Sequence, residues 1–220
     1  GSEKLRIESG GNIRLLSENG NNSDTPGIYF RGGDSSQKAN FAKIHSRMVS
    51  NWGGQLQFKV KDDNGSLSDA YQTAMIMNHN GHVTTPNQPC SMYKALSNSS
   101  TNGATDSTET LVFHNAKRDE GSHYNNSNGR FTAPVAGTYF VGHNCLIDNN
   151  ASDIARSADL QKNGNGYVTL WYDQSGGDND YHGVSGTAII ELAVNDFISI
   201  RATAGIHDGS ETSFTVYLLG

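Results

Sequence analysis

The chain has 220 residues, a net charge of −6, 35% hydrophobic and 17% charged residues, and 25 glycines. With many Asn, Ser and Thr besides, that mixture works against helices and suits short strands joined by polar turns. No Lys/Arg run offers a footprint for nucleic acid, no apolar run reaches the length of a membrane span, and no secretory signal pattern opens the chain.

Gly1-Ser2 reads as a tag remnant. From residue 3 to about 85 the chain is dense in Gly, Asn and Ser, with short runs of period two: L-R-I (5–7), N-I-R-L (12–15), I-Y-F (28–30) and Q-L-Q-F-K-V-K (55–61). The last sets Leu56, Phe58 and Val60 on one face and ends in D-D-N-G (62–65), a hairpin signal. R-I-E-S-G-G-N-I (6–13) resembles M-I-M-N-H-N-G-H-V (75–83), each a short strand, a Gly turn and another short strand. So few apolar residues per segment cannot close a monomeric core. Three chains wound together could, so residues 3–85 are expected to form an intertwined trimeric β shaft.

Residues 86–89 read as a linker, because Pro86 and Pro89 block helix and central strand alike. Nine strand-like segments follow, at 91–96, 110–115, 129–132, 138–147, 157–162, 166–172, 186–192, 196–202 and 213–219. That count and spacing predict one β-sandwich over residues 90–220. Within it, N-G-R-F-T-A-P-V-A-G-T-Y-F-V-G (128–142) opens on the turn dipeptide Asn128-Gly129. Pro134, with no N–H for a ladder, then marks a corner, and the buried run starts at Tyr139. Cys90 and Cys145 match no metal spacing and make no disulfide framework; Cys145 reads as a small buried hydrophobe and the chain as one folded under reducing conditions.

From about residue 90 onward the chain resembles the globular head of complement component one, subcomponent q, a jelly roll of the tumour-necrosis-factor-like superfamily. The residues that carry the resemblance are F-H-N … H-Y-N-N-S-N-G-R-F-T-A-P-V-A-G-T-Y-F (113–140), then L-Q-K-N-G (160–164), G-T-A-I-I-E-L (186–192), N-D-F-I-S-I (195–200) and S-F-T-V-Y-L-L (213–219). Three departures stand out: Asn195 where the family often has Gly, Val216 where it usually has Gly, and a loop over 116–121 that reads as longer than usual. The resemblance implies that Phe131, Tyr139 and Phe140 are core or trimer-interface aromatics. The first half looks like the shaft repeats of bacteriophage tail fibres, particularly I-M-N-H-N-G-H-V-T-T-P-N-Q-P (76–89).

No nucleophile context such as G-x-S-x-G occurs, and Asp119-Glu120, Asp178 and Asp180 lie in polar, turn-like segments, so no enzyme is expected. His79 and His82 could meet a transition metal on a threefold axis, though exposed turn histidines are the plainer reading. The segment W-Y-D-Q-S-G-G-D-N-D-Y-H (171–182) is the main candidate site. Asp173, Asp178 and Asp180 offer hard oxygen ligands to calcium; some heads of the resembled family hold calcium near the trimer top, and Asp173 matches in its Y-D-Q context. Trp171, Tyr172, Tyr181 and His182, beside Asp178 and Asp180, offer ring faces and polar groups to a sugar.

These readings add up to an all-β homotrimer, a fibre shaft ahead of a jelly-roll head. Its expected role is attachment at the tip of a virion tail fibre to a host glycan or outer-membrane receptor, with other tail proteins joined N-terminally. The alternatives are a secreted complement-like recognition or signalling protein and, third, a surface polysaccharide depolymerase.

Overall fold

A computed structural model describes residues 5–7, 13–15, 27–32, 39–48, 54–61, 71–96, 108–148, 155–174, 181–203, 205–207 and 209–220. The chain divides into two compact units, residues 1–87 and 88–220. Among the described residues every regular element is a strand.

In the first unit, β1 (Leu5–Ile7) and β2 (Ile13–Leu15) form an antiparallel hairpin. A five-stranded antiparallel sheet follows in sequential order: β3 (Gly27–Gly32), β4 (Ala39–Met48), β5 (Gly54–Lys61), β6 (Tyr71–Met77) and β7 (Val83–Thr84). The two segments that echo each other in sequence are both hairpins. In the β6–β7 turn, Asn78 Oδ1 accepts from the backbone N–H groups of Asn80 and His82, each at 3.0 Å, and Gly81 takes φ +79°. The register puts Ile28, Ile44, Phe58 and Met75 side by side on one face. That face is poorly covered: Ile28 is 52%, Phe30 51% and Val60 48% exposed. The hairpin signal at 62–65 and most of the Gly-rich turns lie outside the described residues.

The second unit is a two-sheet sandwich. One sheet runs β10 (Phe113–Glu120), β8 (Cys90–Leu96), β18 (Ser213–Leu218), β13 (Gly137–Asp148), β16 (Tyr181–Leu192). The other runs β11 (Tyr124–Asn125), β12 (Arg130–Thr132), β17 (Phe197–Ala202), β14 (Arg156–Lys162), β15 (Asn165–Asp173), with β9 (Glu109–Thr110) on β17. The two facing sheets make a jelly-roll sandwich. Strand alternation builds the core: Tyr139, Val141, His143, Cys145 and Ile147 of β13 all point inward. They meet Phe214 and Val216 of the same sheet and Leu160, Ile198 and Ile200 of the other. A one-residue slip would turn every one of these side chains to solvent. Val216, one of the three departures, is fully buried. Asn195 takes φ +69°, a left-handed turn position that Asn tolerates.

Several boundaries differ from the sequence reading. Residues 116–120, expected as loop, continue β10, which pairs with β8 through a bulge. Strand β16 begins at Tyr181, five residues before the expected start, because it pairs with β13 as far as Asp148. Gln88 and Pro89, expected as linker, are tied into the sandwich: Gln88 Nε2 donates to the Leu218 carbonyl, and Leu218 N–H donates to the Pro89 carbonyl at 3.1 Å. Asn128-Gly129 closes a four-residue turn instead of a two-residue one, with Gly129 N–H donating to the Asn125 carbonyl at 3.0 Å. Glycine is required there twice over. Its φ is +72°, and a Cβ would lie 2.3 Å from the Leu111 carbonyl oxygen.

Candidate binding site

The strand parity of β15 splits the expected aromatic pair. Trp171 points inward, 7% exposed, with its ring stacked on His143 at 6.2 Å between centroids. That is a correction: Trp171 is a core residue and offers no ring to a ligand. Tyr172, one position on, faces solvent at 62% exposure, its hydroxyl 3.3 Å from Gln174 Oε1. Asp173 is half-buried, opposite Arg156 on the β14–β15 ladder. Tyr181 is 56% exposed and edge-on to His207 at 5.2 Å, while His182 is half-buried within β16. Asp178 and Asp180 lie outside the described residues. Tyr172 and Tyr181 are therefore the exposed rings at this end of the sandwich.

No group of three His, Cys, Asp or Glu side chains suited to a metal occurs among the described residues. Asp173 is the one described member of the expected calcium set, and a single carboxylate does not make a calcium site. His79 and His82 are exposed on the β6–β7 turn, without such a cluster. Cys145 is 3% exposed, and burial pushes its thiol up to about 12, so it is inert.

The opposite end of the sandwich carries a hollow of about 560 Å³ that no sequence motif announced. It draws on three separate connections: Ser122–Asn126, Thr132–Pro134 and Asn195. Asp119, at the end of β10, organises the first of them. Its Oδ1 accepts from Ser91 Oγ at 2.6 Å and from His123 N–H at 3.1 Å, and its Oδ2 accepts from Tyr93 O–H at 2.8 Å. Burial, and then the bond to Asp119, push the Tyr93 hydroxyl up to about 12, so it stays a donor. Tyr124 is 5% exposed; its ring packs on Tyr93 at 4.3 Å and its hydroxyl oxygen accepts from Phe113 N–H.

The second and third connections are laced together. Ala133 N–H donates to the Asp196 carbonyl at 2.8 Å, and Asn195 N–H donates to the Ala133 carbonyl at 2.9 Å. The Asp196 carboxylate accepts from the Asn163 amide, from Ala193 N–H and from Lys162 Nζ, which hold it down at about 2. The hollow is thus preformed by backbone bonds and lined by hydroxyls, amides, one imidazole and the Pro134 ring. No carboxylate lines it. Such a surface can hydrogen-bond a neutral, polyhydroxylated ligand, and its volume falls in the range of small-ligand sites.

Residues 94–219 match the C1q domain family. Among solved structures, the chain is similar to the globular domain of zebrafish complement 1qA protein, at 16% identity and a TM-score of 0.48, covering 60% of this chain and 98% of that one. It is similar also to murine APRIL, at 15% identity and a TM-score of 0.47, covering 60% of this chain and 99% of that one.

Proposed function

Because the chain belongs to the C1q domain family over residues 94–219, we propose that it is a homotrimeric, non-catalytic recognition protein whose sandwich head binds a cell-surface glycan. The observation that carries the assembly is a row of apolar side chains on the outer face of the β10-β8-β18-β13-β16 sheet. Cys90, Tyr217, Phe140 and Ile189 are successive cross-strand neighbours there. The Phe140 and Tyr217 rings stack at 5.0 Å, yet Tyr217 is 40% and Ile189 62% exposed. Contiguous apolar surface of this kind marks a protein interface. The half-exposed apolar face of the first unit's sheet supports the same assembly, with three copies covering one another as a stem.

The finer reading is a virion tail-fibre tip that attaches to a bacterial surface, where trimerisation multiplies weak sugar sites. Its support is the β-sheet first unit, which resembles a fibre shaft. A secreted complement-like recognition protein has equal or better support, because the family match speaks to it directly.

One experiment covers both levels. Light scattering on the whole chain should give three times 23.7 kDa, and Ile189→Lys with Tyr217→Lys should give monomers. A monomeric parent chain would end the assembly reading. Adsorption of the labelled protein to bacterial cells, lost on Tyr181→Ala or Asn126→Ala, supports the tail-fibre reading. Adsorption to no bacterial surface glycan would move the reading to the complement-like alternative.

A further inference from the structure

In the first unit, β3 to β7 carry Arg31, Lys43, Arg47, Lys59 and Lys61 and no Asp or Glu, although the whole chain has a net charge of −6. Strand parity gathers most of that charge. Lys43, His45 and Arg47 share one face of β4, and Gln55, Gln57, Lys59 and Lys61 share the same face of β5, half-buried or buried where Leu56 and Val60 on the other face are exposed. The register sets Lys43 beside Lys59 and Arg47 beside Gln55, all on the face opposite Ile28, Ile44 and Phe58. Like charges directly opposite one another destabilise a strand pair. Their effect is visible here: Lys59 is held below its ordinary value by burial and then by Lys43 and Arg47. Among the described residues no ion pair involves Lys43, Arg47, Lys59 or Lys61.

The rest of this face is built for contact. Lys43 Nζ lies 4.4 Å from the centre of the Tyr71 ring and 5.7 Å from that of Tyr29. Gln57, only 4% exposed, is fixed between His45 and Gln55: His45 Nε2 donates to its Oε1 at 3.0 Å, and its Nε2 donates to Gln55 Oε1 at 2.9 Å. Cations along one strand recur every ~6.7 Å and across strands every ~4.8 Å, a spaced lattice of charge.

We infer that this face of the β3–β7 sheet binds a linear acidic polysaccharide, whose carboxylate or sulfate groups pair with Lys43, Arg47, Lys59 and Lys61 while its sugar rings lie against Tyr29 and Tyr71. The match is one of charge and shape together. An extended chain with spaced charges matches such a lattice, and an anion laid across Lys43 and Lys59 relieves their repulsion. Nucleic acid fits less well. Its denser charge meets more repulsion from a chain of net −6. The inference does not depend on the ligand of the head.

The test uses the whole chain immobilised in EDTA, with polygalacturonate, dextran and polyuridylate as probes at about 25 mM and about 300 mM NaCl. Polygalacturonate should bind at low salt, weaken about ten-fold at high salt, and weaken about ten-fold in Lys59→Gln/Lys61→Gln at an unchanged melting temperature. Lys59→Arg should bind like the parent, as should the head variant Asn126→Ala. Arg47→Gln replaces the double variant if that one melts early. Absence of polygalacturonate binding at low salt, equal binding by dextran, indifference to the charge-removing variants, or tighter binding of polyuridylate would each overturn the proposal.

Discussion

His143 should make the head acid-sensitive in a window that a single substitution removes. The side chain is fully buried at the centre of β13. Its Nδ1–H donates to the Ser213 carbonyl at 2.8 Å, which leaves the lone pair on Nε2. Neither Nε2 nor the neighbouring Trp171 Nε1 has a hydrogen-bond partner among the described residues. Protonation would place a charge and an unmatched donor inside the core, and burial accordingly lowers the group from 6.5 to about 4. In the unfolded chain the same imidazole takes up its proton near 6.5. Between those two values the unfolded state binds one more proton than the folded one, so stability falls as pH falls through 6.5 and the loss is complete near 4. A difference of about 2.5 units corresponds to about 3 kcal/mol.

Urea unfolding followed by tryptophan fluorescence, at fixed protein concentration from about pH 7.5 to about pH 4, measures this loss. His143→Gln shifts the whole curve by a constant through its altered packing, but should abolish the His143 part of the pH slope. Parent and variant should therefore converge by about 3 kcal/mol between those limits. His45, also held low by burial and by Lys43 and Lys59, contributes equally to both and cancels. Parallel curves across the window would refute the reasoning.

Two further substitutions probe how the sandwich is closed and how the hollow is held. A Cβ at Gly186 would lie 2.1 Å from the Leu170 carbonyl oxygen, backbone of the facing edge strand, so Gly186→Ala should cost about 2 kcal/mol by forcing β15 and β16 apart; a melting temperature like the parent's would show that the edges separate freely. Asp119→Ala removes the acceptor shared by Ser91, Tyr93 and His123 and should cost about 2 kcal/mol, with less than additive loss when combined with Tyr93→Phe, as double-mutant unfolding would reveal.

Composition and periodicity alone determined the all-β class, because Gly, Asn, Ser and Thr with period-two apolar runs leave no helical face to bury. They also placed the start of a buried run at Tyr139 and read Cys145 as a small buried hydrophobe. The motif string from Phe113 to Phe140 identified the family of the head. What a single strand cannot express is its partner. Residues 116–120 look like loop until β8 pairs with them, and β16 reaches back to Tyr181 only because β13 is long enough to match it. Parity across the sheet likewise decided that Trp171 turns into the core while Tyr172 faces water. The hollow was illegible because its lining comes from three connections that meet only when Ala133 bonds to Asp196 and Asn195. The basic face was illegible for a related reason. Lys43, Arg47, Lys59 and Lys61 never form a run in the sequence; they become neighbours because a pleated sheet sends every second side chain of adjacent strands to the same side.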